Sequence, residues 1–198
     1  MRITLSLLFV LFSLAMNVKA QTKDSVPYKE IPEYPADYTS GNVFSRMIDG
    51  LGYRFYWASE GLEVSEMDYR PSEDARSLRE TLQHLHDLSV MILNSVTNTP
   101  NTDSGITDFS DHEAMRVATL NNLKKASDLF LNLSAKEIEQ LKLTFLRGEK
   151  KTEVPLWHLI NGPIADALSH TGQIVSFRRS VGNPINPKVN VFMGKTGN

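Results

Sequence analysis

The chain contains no cysteine. That excludes disulfides, a thiolate metal site, a cysteine nucleophile and lipid attachment at a cysteine. A cysteine-free chain suits an oxidising space such as a bacterial periplasm, where stray thiols are a liability. Charge of one sign is also missing. The formal net charge is -2 and the sequence pI is about 6.2. Nucleic-acid-binding domains carry clustered Lys and Arg and a high pI, so no nucleic-acid partner is expected. The run Glu149-Lys150-Lys151 after Gly148 reads as a solvated loop. Past Met16 no apolar stretch approaches the roughly 20 residues that span a bilayer. Repeats, strand-period alternation and a parallel βαβ pattern are absent too, which leaves an all-α chain as the expectation.

What is present begins with a targeting segment. Met1-Arg2 gives a small positive start, and Ile3 to Met16 is almost wholly apolar. Val18-Lys19-Ala20 places small residues at the two positions a signal peptidase reads. The expectation is a signal peptide over residues 1–20, cleaved after Ala20, and an exported, periplasmic product with no membrane contact after cleavage. An uncleaved anchor is the alternative. Residues 21–40 hold Pro27, Pro32 and Pro35 and read as an arm, because proline removes backbone donors and resists helix. The remaining length, with 41% hydrophobic residues overall, suffices for one domain with a core.

Helical spacing organises that domain. Phe44, Ile48, Leu51, Phe55 and Ala58 predict a first helix over about Gly41 to Leu62, with Gly50 and Gly52 weakening its middle. Ser77-Leu78-Arg79-Glu80, Ser110-Asp111-His112-Glu113 and Ser134-Ala135-Lys136-Glu137 each match a capping box, in which Ser and Glu satisfy each other's backbone amides. They predict a second helix to about Val96, a third over about Asp111 to Leu133, and a shorter one from Ala135 to about Leu146. Thr97 to Phe109 reads as a loop. A last helix is expected from near Pro155 to Val181-Gly182, kinked at Pro163. The architecture that follows is a four-helix bundle over residues 41–185, with an irregular tail over 186–198.

Asp166 and His170 are four apart, hence on one helical face. The spacing puts Leu159, Pro163, Ile174 and Phe177 on that face as well. An ionisable pair inside an apolar stripe needs compensation. A divalent metal supplies it; so does a buried Asp–His hydrogen bond holding two helices in register. There are five histidines in all. His112 and His158 read as structural or exposed. His84 and His86 flank the apolar stripe of the second helix on opposite sides, and geometry does not choose between them. Gln173 lies one turn beyond His170, where it could orient a ligand or pack between helices. Arg70 and Arg178 could bind an acidic substrate or make structural pairs.

Two segments carry a resemblance. Tyr69-Arg70-Pro71, Ala75-Arg76-Ser77-Leu78 and Thr81-Leu82-Gln83-His84-Leu85 resemble the first half of the DinB/YfiT-like superfamily. Asp166, then His170-Thr171-Gly172-Gln173-Ile174, then Phe177-Arg178-Arg179 and Gly182-Asn183-Pro184 resemble its second half. The resemblance covers roughly residues 40 to 190. It implies a four-helix bundle holding a divalent metal through one side chain of the second helix and two of the last. By position these are His84, Asp166 and His170. It also implies a small-molecule substrate or ligand, and homodimerisation. The sequence departs from the family pattern at Asp166, usually His, and at Ser169 and Thr171. A carboxylate still binds zinc, nickel, manganese or iron. It lowers the charge of the site by one unit, which should leave bound water less acidic than in a three-histidine site.

Two imidazoles and one carboxylate leave open positions on an ion, as catalytic sites do. A metal-dependent hydrolase or thiol S-transferase follows from the resemblance, with Glu80 or Asp87, one turn from His84, as the available bases. A non-catalytic metal- or ligand-binding module and a purely structural bundle are the alternatives.

Overall fold

A computed structural model describes residues 26–103, 109 and 111–197. The expected signal peptide and its cleavage after Ala20 lie outside the described residues, as does Ser110. Among the described residues no helix is long and apolar enough to cross a membrane.

The fold is mainly helical. Helix α1 spans Ser40–Ser59 and is capped by Thr39, whose hydroxyl accepts from the Asn42 amide. Its buried face carries Phe44, Ile48, Leu51, Phe55 and Ala58, the stripe expected from spacing. Gly52 does not interrupt it: a Cβ at this position would run into the Tyr28 ring. Gly41 likewise lies against the Phe130 carbonyl. These glycines let other chain segments approach α1 closely. Helix α2 spans Leu78–Val96 behind a complete Ser77/Glu80 capping box. Helix α3 spans His112–Leu131, and its cap corrects the sequence reading. Asp111, not Ser110, is the cap residue and accepts from the Ala114 amide. Glu113 turns to Arg116 instead of to the cap.

Two further corrections bear on topology. The short helix α4, Ala135–Gln140, stops well before Leu146. Lys142–Arg147 (β2) and Lys150–Pro155 (β3) then form an antiparallel hairpin, and Asn101–Thr102 (β1) joins β2 in parallel inside the expected loop. The hairpin turns at Gly148 with φ of +57°. Only glycine takes that angle at little cost, so this residue commits the segment to a two-residue turn. The last helix is the second correction. It breaks into α5, Trp157–Leu159, a wide turn over Ile160–Ile164, and α6, Ala165–Ser180. Pro163 has no amide to donate, and Gly162 absorbs the disruption at φ −98°, ψ −105°. The expected kink is therefore an interruption, and Asp166 becomes a first-turn residue.

Helices α1 and α2 both pack on α3, and α6 lies against α1 and α2. Phe44 stacks on Phe130 with ring centroids 4.9 Å apart. Around them Ile48, Leu51, Leu82, Leu120 and Ile174 are buried. The arm is part of this core. The Tyr28 hydroxyl donates to Asp49 Oδ1 at 3.0 Å, and Ser127 donates to the same oxygen at 2.6 Å. Burial pushes the Asp49 carboxyl above its usual range. The tail is not irregular either. Val189–Asn190 (β4) pairs with Lys195–Thr196 (β5), and the Tyr53 hydroxyl donates to the Lys195 carbonyl at 2.7 Å.

Candidate metal centre

Ser77 fixes where α2 begins, and so fixes His84 two turns in, facing α6. The break at Gly162-Pro163 fixes where α6 begins. An anionic side chain is favoured in a first helical turn, where backbone amides leave partial positive charge. Asp166 occupies that turn, and His170 follows one turn on. The three side chains meet. His84 Nε2 lies 3.0 Å from Asp166 Oδ2, and His170 Nε2 lies 3.3 Å from Asp166 Oδ1. The imidazoles are perpendicular with centroids 4.6 Å apart. One donor atom from each residue falls within 4.8 Å of the others.

The setting differs from the expectation of a pair inside an apolar stripe. The Asp166 side chain is 45% exposed, His84 26% and His170 12%. The buried face of α6 is Ala167, Thr171, Ile174, Phe177 and Arg178. Asp166 and His170 are offset from it toward the rim. The offset arises within α6, whose packed stripe is centred to one side of the pair, and the break at Gly162-Pro163 separates Leu159 from that helix. Solvent reaches the carboxylate, so burial alone does not compel compensation.

His170 is oriented by a neighbour. Its Nδ1 lies 2.8 Å from Gln173 Oε1. An amide oxygen only accepts, so Nδ1 carries the proton. In the neutral ring Nε2 then bears a lone pair, and that lone pair faces the Asp166 carboxylate. Two acceptors 3.3 Å apart repel unless a cation or a proton lies between them. Gln173, expected beside a ligand or bound water, touches the ring of His170. Arg76 also reaches the cluster. Its Nη1 is 3.4 Å from His170 Nε2. The two residues are 94 apart in the chain, and no local signal announces the contact.

The other sequence candidates have different partners. His86 is buried between α2 and α3, with Nδ1 3.3 Å from Thr119 Oγ1 and its ring against Phe109. Burial lowers its pKa. It takes no part in the cluster. His112 Nε2 donates to the Leu62 carbonyl at 3.0 Å, and His158 is exposed. Arg70 grips both Glu80 oxygens at 2.7 and 2.9 Å and the Ala75 carbonyl. Arg178 is buried and donates to backbone carbonyls at the end of α1. Both arginines have structural roles.

Glu80 is not free to act as a base. Its carboxylate accepts from Arg70 and from the Ser77 amide, and these bonds hold its pKa at about 2. Asp87 accepts from Gln83 at 2.9 Å. The Glu80 shift has a consequence for stability. A depressed carboxylate stabilises the fold above its ordinary value of 4.5, and the contribution disappears as pH falls through about 2. Acid titration followed by circular dichroism should lose this contribution between those values. In Glu80→Gln that limb of the curve should flatten.

A cleft of about 420 Å³ opens beside the cluster, lined by Pro71, Ala75, Arg76, His170, Gln173 and Phe177. Two clefts of similar size lie elsewhere: one of about 430 Å³ at Tyr34, Tyr38 and Arg46, one of about 460 Å³ at Phe44, Ile138 and Trp157. Volume does not rank the three. Only the first borders the His84/Asp166/His170 cluster.

The donor set fits a divalent ion. Tetrahedral N and O ligands at about 2.1 Å from an ion sit roughly 3.4 Å apart, close to the 3.0 and 3.3 Å observed. No family model, curated protein or solved structure matches the chain.

Proposed function

We propose that this chain is an exported member of the DinB/YfiT-like superfamily, a four-helix bundle that binds one divalent metal ion through His84, Asp166 and His170. One observation carries the reading. Donors from two helices, 82 residues apart between His84 and Asp166, converge on one centre, and Gln173 turns a His170 lone pair toward it. Export rests on the apolar run from Ile3 to Met16 and the small residues before Gln21.

An ion held there supplies Lewis acidity and lowers the pKa of a water or thiol that it binds. The chain's own residues do the rest. Asp166 offers one carboxylate oxygen toward each imidazole. Gln173 keeps the His170 proton on Nδ1. The cleft bordered by Phe177 and Pro71 admits a small molecule from solvent. A hydrolase or thiol S-transferase is the enzymatic form of this reading. The non-catalytic module is the second reading, and a specific observation favours it: Glu80 and Asp87 are both engaged. The enzymatic form therefore suits a reaction whose nucleophile the metal itself ionises.

Element analysis of untagged protein purified without chelator tests the proposal. One ion per chain is expected in the wild type, and none in His170→Ala with the fold intact. A metal-free wild type that also fails to take up added zinc, nickel, manganese or iron leaves only the structural bundle.

A further inference from the structure

Arg76 is the unexplained charge at this site. It is exposed, and its guanidinium has no carboxylate partner among the described residues. Arg70, on the same loop, is paired with Glu80, whereas Arg79 and Arg179 are exposed and, like Arg76, form no ion pair among the described residues; the contact that Arg76 makes is what sets it apart. Arg76 points Nη1 at Nε2 of His170, 3.4 Å away, on the side of the ring that faces the cluster. It also lines the cleft with Pro71, Ala75 and Phe177.

This placement disfavours a metal. A divalent ion on two neutral imidazoles and one carboxylate leaves a net charge of +1. Arg76 adds another beside it. Like charges at such separation repel. No carboxylate among the described residues forms an ion pair with Arg76, and Asp166 already serves the two imidazoles. An anionic ligand would supply a balancing charge in direct contact with the guanidinium.

Building on the metal reading, we propose that Arg76 is the specificity residue of the cleft and binds the anionic group of a small organic acid that also reaches the ion. A planar guanidinium matches a carboxylate with two parallel hydrogen bonds. The apolar wall of Phe177, Pro71 and Ala75 takes the body of the acid. A bare inorganic anion would use the charge and leave that wall wet.

The test has two stages, each with its own readout. Calorimetry first measures zinc binding to wild type, Arg76→Gln and Arg76→Lys. Zinc should bind all three one to one, and Arg76→Gln should bind it a few-fold more tightly because a repelling charge is gone. The zinc-loaded proteins are then titrated with benzoate, benzamide and inorganic phosphate. Benzoate should bind wild type best. Arg76→Gln should weaken it roughly tenfold or more, as loss of a charge-assisted pair does, and Arg76→Lys should restore part of the loss. Benzamide should bind weakly to every variant. Equal benzoate affinity in wild type and Arg76→Gln overturns the inference while leaving the metal site standing. Phosphate binding as tight as benzoate overturns the assignment of an apolar body. A wild type that binds no zinc removes the metal reading and this inference together, and that result appears in the first stage. If Arg76 served only to offset the Asp166 carboxylate beside His170, zinc affinity alone would change. The anion response separates the two roles.

Discussion

His84→Ala should weaken divalent-ion binding roughly a hundredfold or more, whereas His86→Ala, two residues further along α2, should leave it within a few-fold of wild type. A hundredfold corresponds to about 2.7 kcal/mol. The contrast follows from where the two rings stand. His84 places Nε2 3.0 Å from the carboxylate it shares with His170. Removing it leaves two donors, both from α6, and such a chelate from a single helix turn holds ions poorly. His86 faces the opposite way, with its Nδ1 at Thr119 and its edge on Phe109. Truncating it opens a void between α2 and α3 and leaves a buried Thr119 hydroxyl with one partner fewer. The expected cost is about 1–3 kcal/mol of folding stability, read as a lower melting temperature, with metal uptake per folded molecule unchanged. Isothermal titration with zinc checks the first half and thermal unfolding the second. Equal loss of zinc from both variants would falsify the assignment of His84, because it would mean that the fold of α2, and not a particular ring, is what the ion senses.

The same two histidines show how far the sequence could be read. A period of 3.6 placed each of them beside the apolar stripe on opposite flanks. Periodicity describes one helix and says nothing about which neighbour covers which flank. That fact belongs to the packing, where α3 covers His86 and α6 covers His84. The pattern Asp166-x-x-x-His170 was readable because it lies within one helix. Its burial was less legible, because the packed stripe of α6, centred on Ala167, Thr171, Ile174 and Arg178, lies to one side of Asp166 and His170. Gly162-Pro163 ends one helix and starts another, and the residues before the break carry no information on the face of those after it. The long apolar helices were legible for the usual reason that their faces repeat. The β2–β3 hairpin was not, since Leu141, Leu143 and Leu146 suit a helical continuation of α4 as well as a strand. Gly148 held the deciding information, as a residue suited to φ of +57° in a two-residue turn. Arg76 lies beyond any such reading. Nothing local brings a loop arginine to a histidine 94 residues away.

Arg178→Ala should be the most destabilising single change near the site, at about 3 kcal/mol, and yet should not alter the ion's affinity for the folded protein. Arg178 is 4% exposed. It donates to the carbonyls of Ala58 at 3.1 Å and Glu60 at 2.6 Å, and to the Asn183 carbonyl at 2.8 Å and side chain at 2.9 Å. The last carbonyls of a helix have no partner within it, and here one side chain from α6 serves the end of α1. Alanine would leave several of these acceptors dry and unpaired. Each such loss costs about 1–3 kcal/mol, reduced by whatever water can enter. For a chain of this size about 3 kcal/mol corresponds to a fall of roughly 6–12 °C in melting temperature. Arg178→Lys should recover only part of it, because an ammonium cannot span acceptors set in two directions. A substrate-binding arginine would behave in the opposite way. Its removal would leave melting unchanged and weaken an anionic ligand. Melting curves and benzoate titrations on Arg178→Ala and Arg76→Gln, taken side by side, should therefore move in complementary directions. The two arginines differ in their partners: Arg178 ties the last turn of α6 to the end of α1, and Arg76 reaches α6 from the loop before α2, at His170 and the rim of the cleft.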